Sequence, residues 1–246
     1  MLLLGLDTAT PAVTVALHDG SQPLAQLVSV DAHRHAELLA PAIAKVIADA
    51  GAERGDLTGV AVGVGPGPYT GLRVGVVTAR VLGAALGIPV YGVCTLDVIA
   101  ADVDRDGDFL VATDARRREL YWARYDSRAH RVAGPAVGSP ATISGRDLPA
   151  AGEGAMLYPS FLPNGRGPAY PAAATLCRVV TAALAAGEDE PLLPPEPLYL
   201  RRPDAREPGP RKRVSRLWPA GGSGARTFPP RLRRARRSRP GRALDR

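Results

Sequence analysis

The chain has 246 residues, 46% of them hydrophobic, enough for one large or two small packed units with a sizeable core. Its formal charge of +7 is unevenly placed: residues 201–246 hold 16 basic and 3 acidic side chains, whereas residues 1–200 hold 15 and 21. The longest apolar stretch, Val81 to Leu96, is too short and too interrupted by Pro89 and glycine for a membrane span, Met1 to Leu6 lacks a basic leader and cleavage site, and Cys94 and Cys177 form no CxxC pair, so a cytoplasmic chain without a disulfide framework or cysteine zinc site is expected.

Leu2 to Leu6 is an apolar run, Ala12 to Leu17 carries β-branched residues, and Asp19-Gly20 turns the chain before Leu24 to Val30, which predicts a three-strand meander. From His33 the period becomes helical, with Leu38, Leu39, Ala42, Ile43, Val46, Ile47 and Ala50 recurring until Gly51 offers a stop. Pro41 is expected to bend that helix. Val60 to Val64 reads as a strand, Gly65-Pro66-Gly67-Pro68 as a rigid turn, Tyr69 to Leu86 as a second helix and Val90 to Val93 as a strand, together a crossover unit. A second unit begins near Asp97, with a short helix to Val103 and strands at Phe109 to Thr113 and Glu119 to Tyr125. Arg116, Arg117 and Arg118 lie in the turn between those strands. After Asp126 the text is irregular and rich in Pro and Gly, apart from a helix at Ala172 to Ala186 and an extended stretch at Pro191 to Leu200. From Pro208 to Arg246, 27 of 39 residues are Arg, Pro, Gly or Ala without apolar periodicity, which predicts disorder. That composition fits either an arm that attracts phosphate or high-GC DNA read out of frame.

In the second helix Gly71, Gly75, Ala79, Gly83 and Gly87 recur every four residues as a row almost free of side chains. An interior glycine costs about 1 kcal/mol against alanine, so the row implies close backbone approach, either within the protein or to another molecule. The Gly65 to Gly71 turn joins a strand to a helix N-terminus as phosphate loops do, but it lacks their Gly-Lys-Ser/Thr ending, and Pro66 and Pro68 have no N–H to offer. Asp7-Thr8-Ala9-Thr10 is the kind of acidic, hydroxyl-bearing turn at which actin-like ATPases hold phosphate and magnesium, with Ala9 where those folds have glycine; a structural Asx turn explains it equally well. His33 and His35 point apart on a helix, and no nucleophilic triad or three-ligand metal set is found.

Leu4-Gly5-Leu6-Asp7-Thr8-Ala9-Thr10, Arg34-His35-Ala36-Glu37-Leu38-Leu39, Gly63 through Arg73, and Asp114-Ala115-Arg116 with Glu119-Leu120-Tyr121 together resemble the TsaB (YeaZ) family. Pro197-Leu198-Tyr199-Leu200-Arg201 matches that family's closing segment, and the resemblance covers residues 1 to about 206. It implies an α/β fold of two actin and sugar-kinase type lobes, the second one reduced: an N-terminal lobe over 1–96, a smaller C-terminal lobe over 97–206 and a disordered basic tail over 207–246. It implies a role in making threonylcarbamoyladenosine, the modified base beside the anticodon in tRNAs that read codons beginning with adenine. The paralogue TsaD performs the carbamoyl transfer with a metal held by an HxxxH pair. The matching segment here, Thr95-Leu96-Asp97-Val98-Ile99, has neither histidine, so neither a metal nor a catalytic residue is expected.

By the same resemblance the chain heterodimerises with TsaD through its first two helices, the ATPase TsaE joins them, and the chain pairs with itself where TsaD is absent. The interface then falls on His35, Leu38, Leu39, Ala42, Gly71, Arg73, Val74, Gly75, Val77, Thr78, Ala79 and Gly83. Asp7, Thr8, Gly67 and Asp114 would lie nearest any nucleotide. No cofactor is expected on the chain alone, ATP or ADP only within the complex, and tRNA is met through the complex. The competing expectation is a metal-dependent nucleotide hydrolase or metallopeptidase-like enzyme of the same superfamily.

Overall fold

The computed structural model describes residues 1–201 apart from 105 and 188–190; the tail expected to be disordered lies outside the described residues. In chain order the elements are strands β1 (Leu3–Asp7), β2 (Ala12–His18) and β3 (Pro23–Val30), helix α1 (His35–Asp49), strand β4 (Gly59–Gly63), helix α2 (Tyr69–Leu86), strand β5 (Val90–Val93) and helix α3 (Thr95–Ala100). There follow β6 (Phe109–Asp114), β7 (Leu120–Tyr125), β8 (Arg131–Gly138), β9 (Ala150–Ala151), α4 (Glu153–Leu157), α5 (Ala173–Ala186) and β10 (Leu192–Leu193).

Every residue of β1 is buried, as a strand covered on both faces must be. β1 pairs antiparallel with β2, Leu4 opposite Leu17, and parallel with β4, Leu4 opposite Val60. The first sheet has the order β10-β5-β4-β1-β2-β3 and the second β8-β7-β6-β9. The second repeats the plan of the first: a three-strand meander whose first strand pairs parallel with a later one. Among the described residues it has no counterpart of β5, and a 3-10 turn at Pro140–Thr142 stands where the first lobe has α1. This is the two-lobe actin-type plan with a reduced second lobe.

One face of the first sheet, through Leu4, Leu6 and Val62, packs on Leu39, Val46, Val76 and Ala79 of α1 and α2. The other face, through Leu3, Ala61 and Val93, packs on Leu176, Cys177 and Val180 of α5. Gly5 makes this second contact close: a Cβ there would stand 2.5 Å from the Ala173 carbonyl oxygen. α3 joins the lobes, with Val98 in the core under α5 and Leu96 and Ile99 among Phe109, Val111 and Tyr125 of the second sheet.

Three expectations change. The helix at 172–186 is present, but it packs behind the first sheet, and β10 pairs with β5, so residues 173–193 belong to the first layer rather than to a lobe over 97–206. The physical reason is the bare back of β1 and β4 at Gly5 and Ala61, which needs an apolar cover from elsewhere in the chain. β8 occupies part of the supposedly irregular text; Gly134 and Pro135 break its alternation, yet proline is tolerated there because β8 is an edge strand. α1 begins at His35 and continues through the exposed Pro41. No helix among the described residues is long and apolar enough to cross a membrane.

Candidate functional site

In the turn after β1 the carboxyl of Asp7 is sealed by the protein itself. Asp7 is fully buried; its Oδ1 accepts the Ala9 amide at 2.7 Å and its Oδ2 accepts the Thr95 hydroxyl at 2.7 Å. Thr95 Oγ1 in turn accepts the Gly65 amide at 3.1 Å, and the Thr95 amide donates to the Gly65 carbonyl at 2.7 Å. Thr8 donates its hydroxyl to the Gly71 carbonyl at 2.7 Å, on the first turn of α2. Cβ atoms added at Gly67, Gly71 and Gly75 would lie 2.2 Å from the Ala9 carbonyl oxygen, 2.5 Å from the Thr8 carbonyl oxygen and 2.4 Å from Thr8 Oγ1. These glycines therefore seat the Gly65–Tyr69 loop and α2 directly on the acidic turn.

This arrangement settles which way the glycine row faces. Gly71, Gly75, Ala79 and Gly83 are the buried side of α2, with Gly83 against Val90, and Leu39 and Ala42 are buried on α1. These six expected interface positions serve the internal core instead. Of the others, Arg73 and Val77 are exposed, Leu38, Val74 and Thr78 are half-buried, and His35 donates from Nε2 to the Thr10 carbonyl at 2.8 Å. The outward side of α2 carries Val77 at 54% and Val81 at 61% exposure. Beside it, between α1 and α2, runs a groove of about 670 Å³ lined by Ala40, Ile43, Ala44, Ile47, Thr78 and Leu82.

Asp7, Thr8 and Gly67 thus come together, whereas Asp114 closes β6 in the second sheet. Its Oδ1 accepts the Arg116 amide at 2.8 Å and its Oδ2 lies 3.5 Å from the Arg116 guanidinium. Arg116, Arg117 and Arg118 are exposed and have φ of 60°, 56° and 61°. A left-handed conformation costs a residue with a Cβ about 1 kcal/mol or more. The lobes touch where Tyr121 donates its hydroxyl to the Gly67 carbonyl at 3.3 Å.

Sequence reasoning missed Thr95, Tyr121 and the work of the closing segment. Leu198 donates its amide to Val64, Tyr199 stacks on Tyr69 with centroids 5.0 Å apart, and Arg73 lies 4.4 Å over the Tyr69 ring while its Nε donates to the Tyr199 hydroxyl. Arg201 pairs with Glu119 and donates to the Ala115 carbonyl. The visible signal was the family-like Pro197–Arg201 text, whose partners are more than 60 residues away in sequence. A hollow of about 280 Å³ opens over the Thr8–Pro11 turn and the start of α2, walled by Thr8, Thr10, His33, His35, Tyr69 and Arg116 among others.

Burial pushes the Asp7 carboxyl up to about 6, although its bonds from Ala9 and Thr95 pull the other way. Burial likewise pushes Glu153 up to about 7, and its Oε1 has no partner. A carboxyl held neutral by the fold stabilises it only while the unfolded chain is also protonated, so this stability is lost as pH rises from about 4 through the folded value. For Asp7 the loss is about 3 kcal/mol by pH 7. Denaturant unfolding at several pH values is expected to show this fall, and in Asp7→Asn the fall between pH 4 and 6.5 is expected to shrink by about that amount. Equal slopes in the two proteins would mean Asp7 is not held neutral. Asp19, lowered to about 2 by its bonds from Gln22 and Ser21, acts below that window.

Among the described residues no group of three or more His, Cys, Asp or Glu side chains could hold a metal ion. The family model described as TsaD, tRNA N6-adenosine threonylcarbamoyltransferase, matches residues 28–187. An uncharacterized protein of Mycobacterium tuberculosis is 49% identical over 212 residues, which cover 83% of this chain and 93% of that protein. The Escherichia coli tRNA threonylcarbamoyladenosine biosynthesis protein TsaB is 35% identical over 135 residues, 51% of this chain and 55% of that protein. The solved structure of YeaZ from Pseudomonas aeruginosa shares the fold with a TM-score of 0.66 at 29% identity, covering 81% of this chain and 99% of that one. A second Pseudomonas aeruginosa structure, described as similar to peptidase YeaZ, gives a TM-score of 0.69 at 28% identity with the same coverage. The family model over residues 28–187, a superfamily match, agrees with the TsaB relatives and with the fit to YeaZ over that protein's whole length: the chain belongs to the TsaB (YeaZ) family.

Proposed function

We propose that this chain is a non-catalytic subunit of the machinery that makes N6-threonylcarbamoyladenosine in tRNA, where it binds and stabilises the transferase TsaD. The observation that carries this reading is the sealed carboxyl of Asp7. In an actin-type lobe the space over that turn receives nucleotide phosphates; here Gly67 sits against the Ala9 carbonyl, and both oxygens of Asp7 are engaged inside the protein. A nucleotide hydrolase built on Asp7 and Thr8 would have to unseat a loop held by Thr95, Tyr121 and Leu198. The chain then contributes surface rather than chemistry, and the surface is apolar: Val77 and Val81 beside the α1–α2 groove. TsaE joins the pair, ATP or ADP is bound only by the assembly, and the same face mediates a homodimer when TsaD is missing.

The test is to mix the purified full chain with TsaD and TsaE of the same organism. TsaD is expected to co-elute with the chain, and magnesium-dependent ATP turnover is expected of the assembly but not of the chain. Turnover of ATP or a peptide by the isolated chain at enzyme-like rates, abolished by Asp7→Ala, would instead establish the competing hydrolase or metallopeptidase-like reading.

A further inference from the structure

Among the described residues the chain crosses between its two sheets three times, and the closing segment is the third crossing. The first runs through α3, whose Val98 packs under α5 while Leu96 and Ile99 sit in the core of the second sheet. The second returns from α4 to α5. The third starts at β10, paired with β5 at the edge of the first sheet, and ends at Arg201, which donates to the Ala115 carbonyl and pairs with Glu119 in the β6–β7 turn. On the way Leu193 and Leu198 pack against both cores. The α3 contacts lie at Phe109 and Tyr125, the open end of the β6–β7 hairpin, whereas Arg201 holds the turn beyond Asp114, about 17 Å further along the strand.

Pro194, Pro195 and Pro197 stiffen the start of this crossing, since each ring fixes its own φ and holds the residue before it extended. Its attachments are shallow. Tyr69, Tyr199 and the Glu119 side chain are each more than a third exposed, and Arg73, which lies over the Tyr69 ring and donates to the Tyr199 hydroxyl, is itself exposed. By contrast Leu96, Val98 and Ile99 of α3 are fully buried. Releasing Tyr199 and Arg201 therefore leaves every buried residue of both cores in place, whereas releasing α3 would open both. Space for a movement exists: a cavity of about 740 Å³ separates Arg128 and Ala129 of the β7–β8 turn from Val179 and Ala183 of α5.

We propose that the segment Pro194–Arg201 is a releasable clasp that fixes the angle between the two sheets, holding a hinge at α3. With the clasp shut, Tyr121 reaches the Gly67 carbonyl, and Arg116 of the second lobe completes the wall of the 280 Å³ hollow over Thr8. With Arg201 detached, the β6–β7 turn swings away from the Gly65–Tyr69 loop, and both that bond and that wall are lost. The clasp rests on contacts within the chain and not on the TsaD reading.

The test measures the distance between the lobes in the full chain by pulsed electron paramagnetic resonance. Spin labels are carried at Lys45→Cys on α1 and Ser127→Cys in the β7–β8 turn, both exposed positions, and the labelled chain is diluted in unlabelled chain. Cys94 and Cys177 escape labelling because they are fully buried and burial pushes their thiols up to about 12. Arg201→Ala cuts both ties to the β6–β7 turn and leaves the cores whole, so its melting temperature is expected to stay within about 3 °C of the parent. Its distance distribution is expected to shift or broaden by at least about 4 Å, the arc of a rotation of about 15° on a lever of about 17 Å. Tyr199→Ala, which removes the seat on Tyr69 and Arg73 instead, is expected to give a change of the same kind. A parent-like distribution in either variant overturns the proposal, because α3 and Tyr121 then hold the angle unaided. So does a fall of more than about 10 °C in the melting temperature of Arg201→Ala, which would make the segment part of the core rather than a clasp.

Discussion

Gly67→Ala is expected to lower the melting temperature by about 10 °C, an effect of about 3–4 kcal/mol in a protein of this size. The added methyl would stand 2.2 Å from the Ala9 carbonyl oxygen and 2.9 Å from Ala9 C and Cα. All three are backbone atoms of the turn between β1 and β2, so no rotamer change makes room. The loop cannot retreat either, because Gly65 is bonded to Thr95 through both its amide and its carbonyl and the Gly67 carbonyl accepts the Tyr121 hydroxyl. Gly55→Ala is the control. A Cβ at Gly55 meets nothing within 4 Å, and its short helix Arg54–Asp56 is exposed, so melting is expected to stay within about 2 °C of the parent. Scanning calorimetry of the three proteins decides the matter. If Gly67→Ala melts like the control, the loop is not seated on the Asp7 turn, and the argument against nucleotide binding by this chain loses its main support.

Much of the first lobe could be read from local pattern. The apolar run of β1, the β-branched residues of β2, the helical period of α1 and the limits of α2 at Tyr69 and Leu86 all correspond to what the residues predict. What local pattern could not supply is direction. The row of Gly71, Gly75, Ala79 and Gly83 announces close approach, but only three-dimensional placement shows that Thr8 and Val90 are the neighbours rather than another molecule. Asp7 presents the same limit. An acid followed by a hydroxyl residue reads alike whether it faces solvent or is sealed, and the sealing partner Thr95 lies 88 residues away. The second lobe was harder to read because its strands lack clean signals. Gly134 and Pro135 interrupt β8, and β9 is only Ala150–Ala151, too short to show a period. α5 was visible as a helix, but its apolar face could not reveal that it covers Leu3, Ala61 and Val93 of strands far earlier in the chain.

Replacing Val77 and Val81 together by aspartate is expected to weaken binding to TsaD at least about 100-fold while leaving the fold intact. The two residues are four apart, on one exposed face of α2, each one position before a residue that lines the groove formed with α1, Thr78 and Leu82. Because neither is part of the core, their exchange for a charged residue is expected to move the melting temperature by no more than about 2 °C. If TsaD covers this face, each aspartate is instead taken from water into an apolar contact without a partner. Two such penalties of about 1.5–2 kcal/mol each give the stated factor. Gly75→Leu would be a misleading probe, because its side chain would strike Thr8 Oγ1 inside the lobe. Lost binding would then report a damaged fold rather than a blocked interface. Titration calorimetry with the double aspartate variant avoids that confusion, since a matched melting curve certifies the fold in the same sample. Affinity within about threefold of the parent would place the TsaD contact on another surface and leave the exposed valines of α2 without a partner.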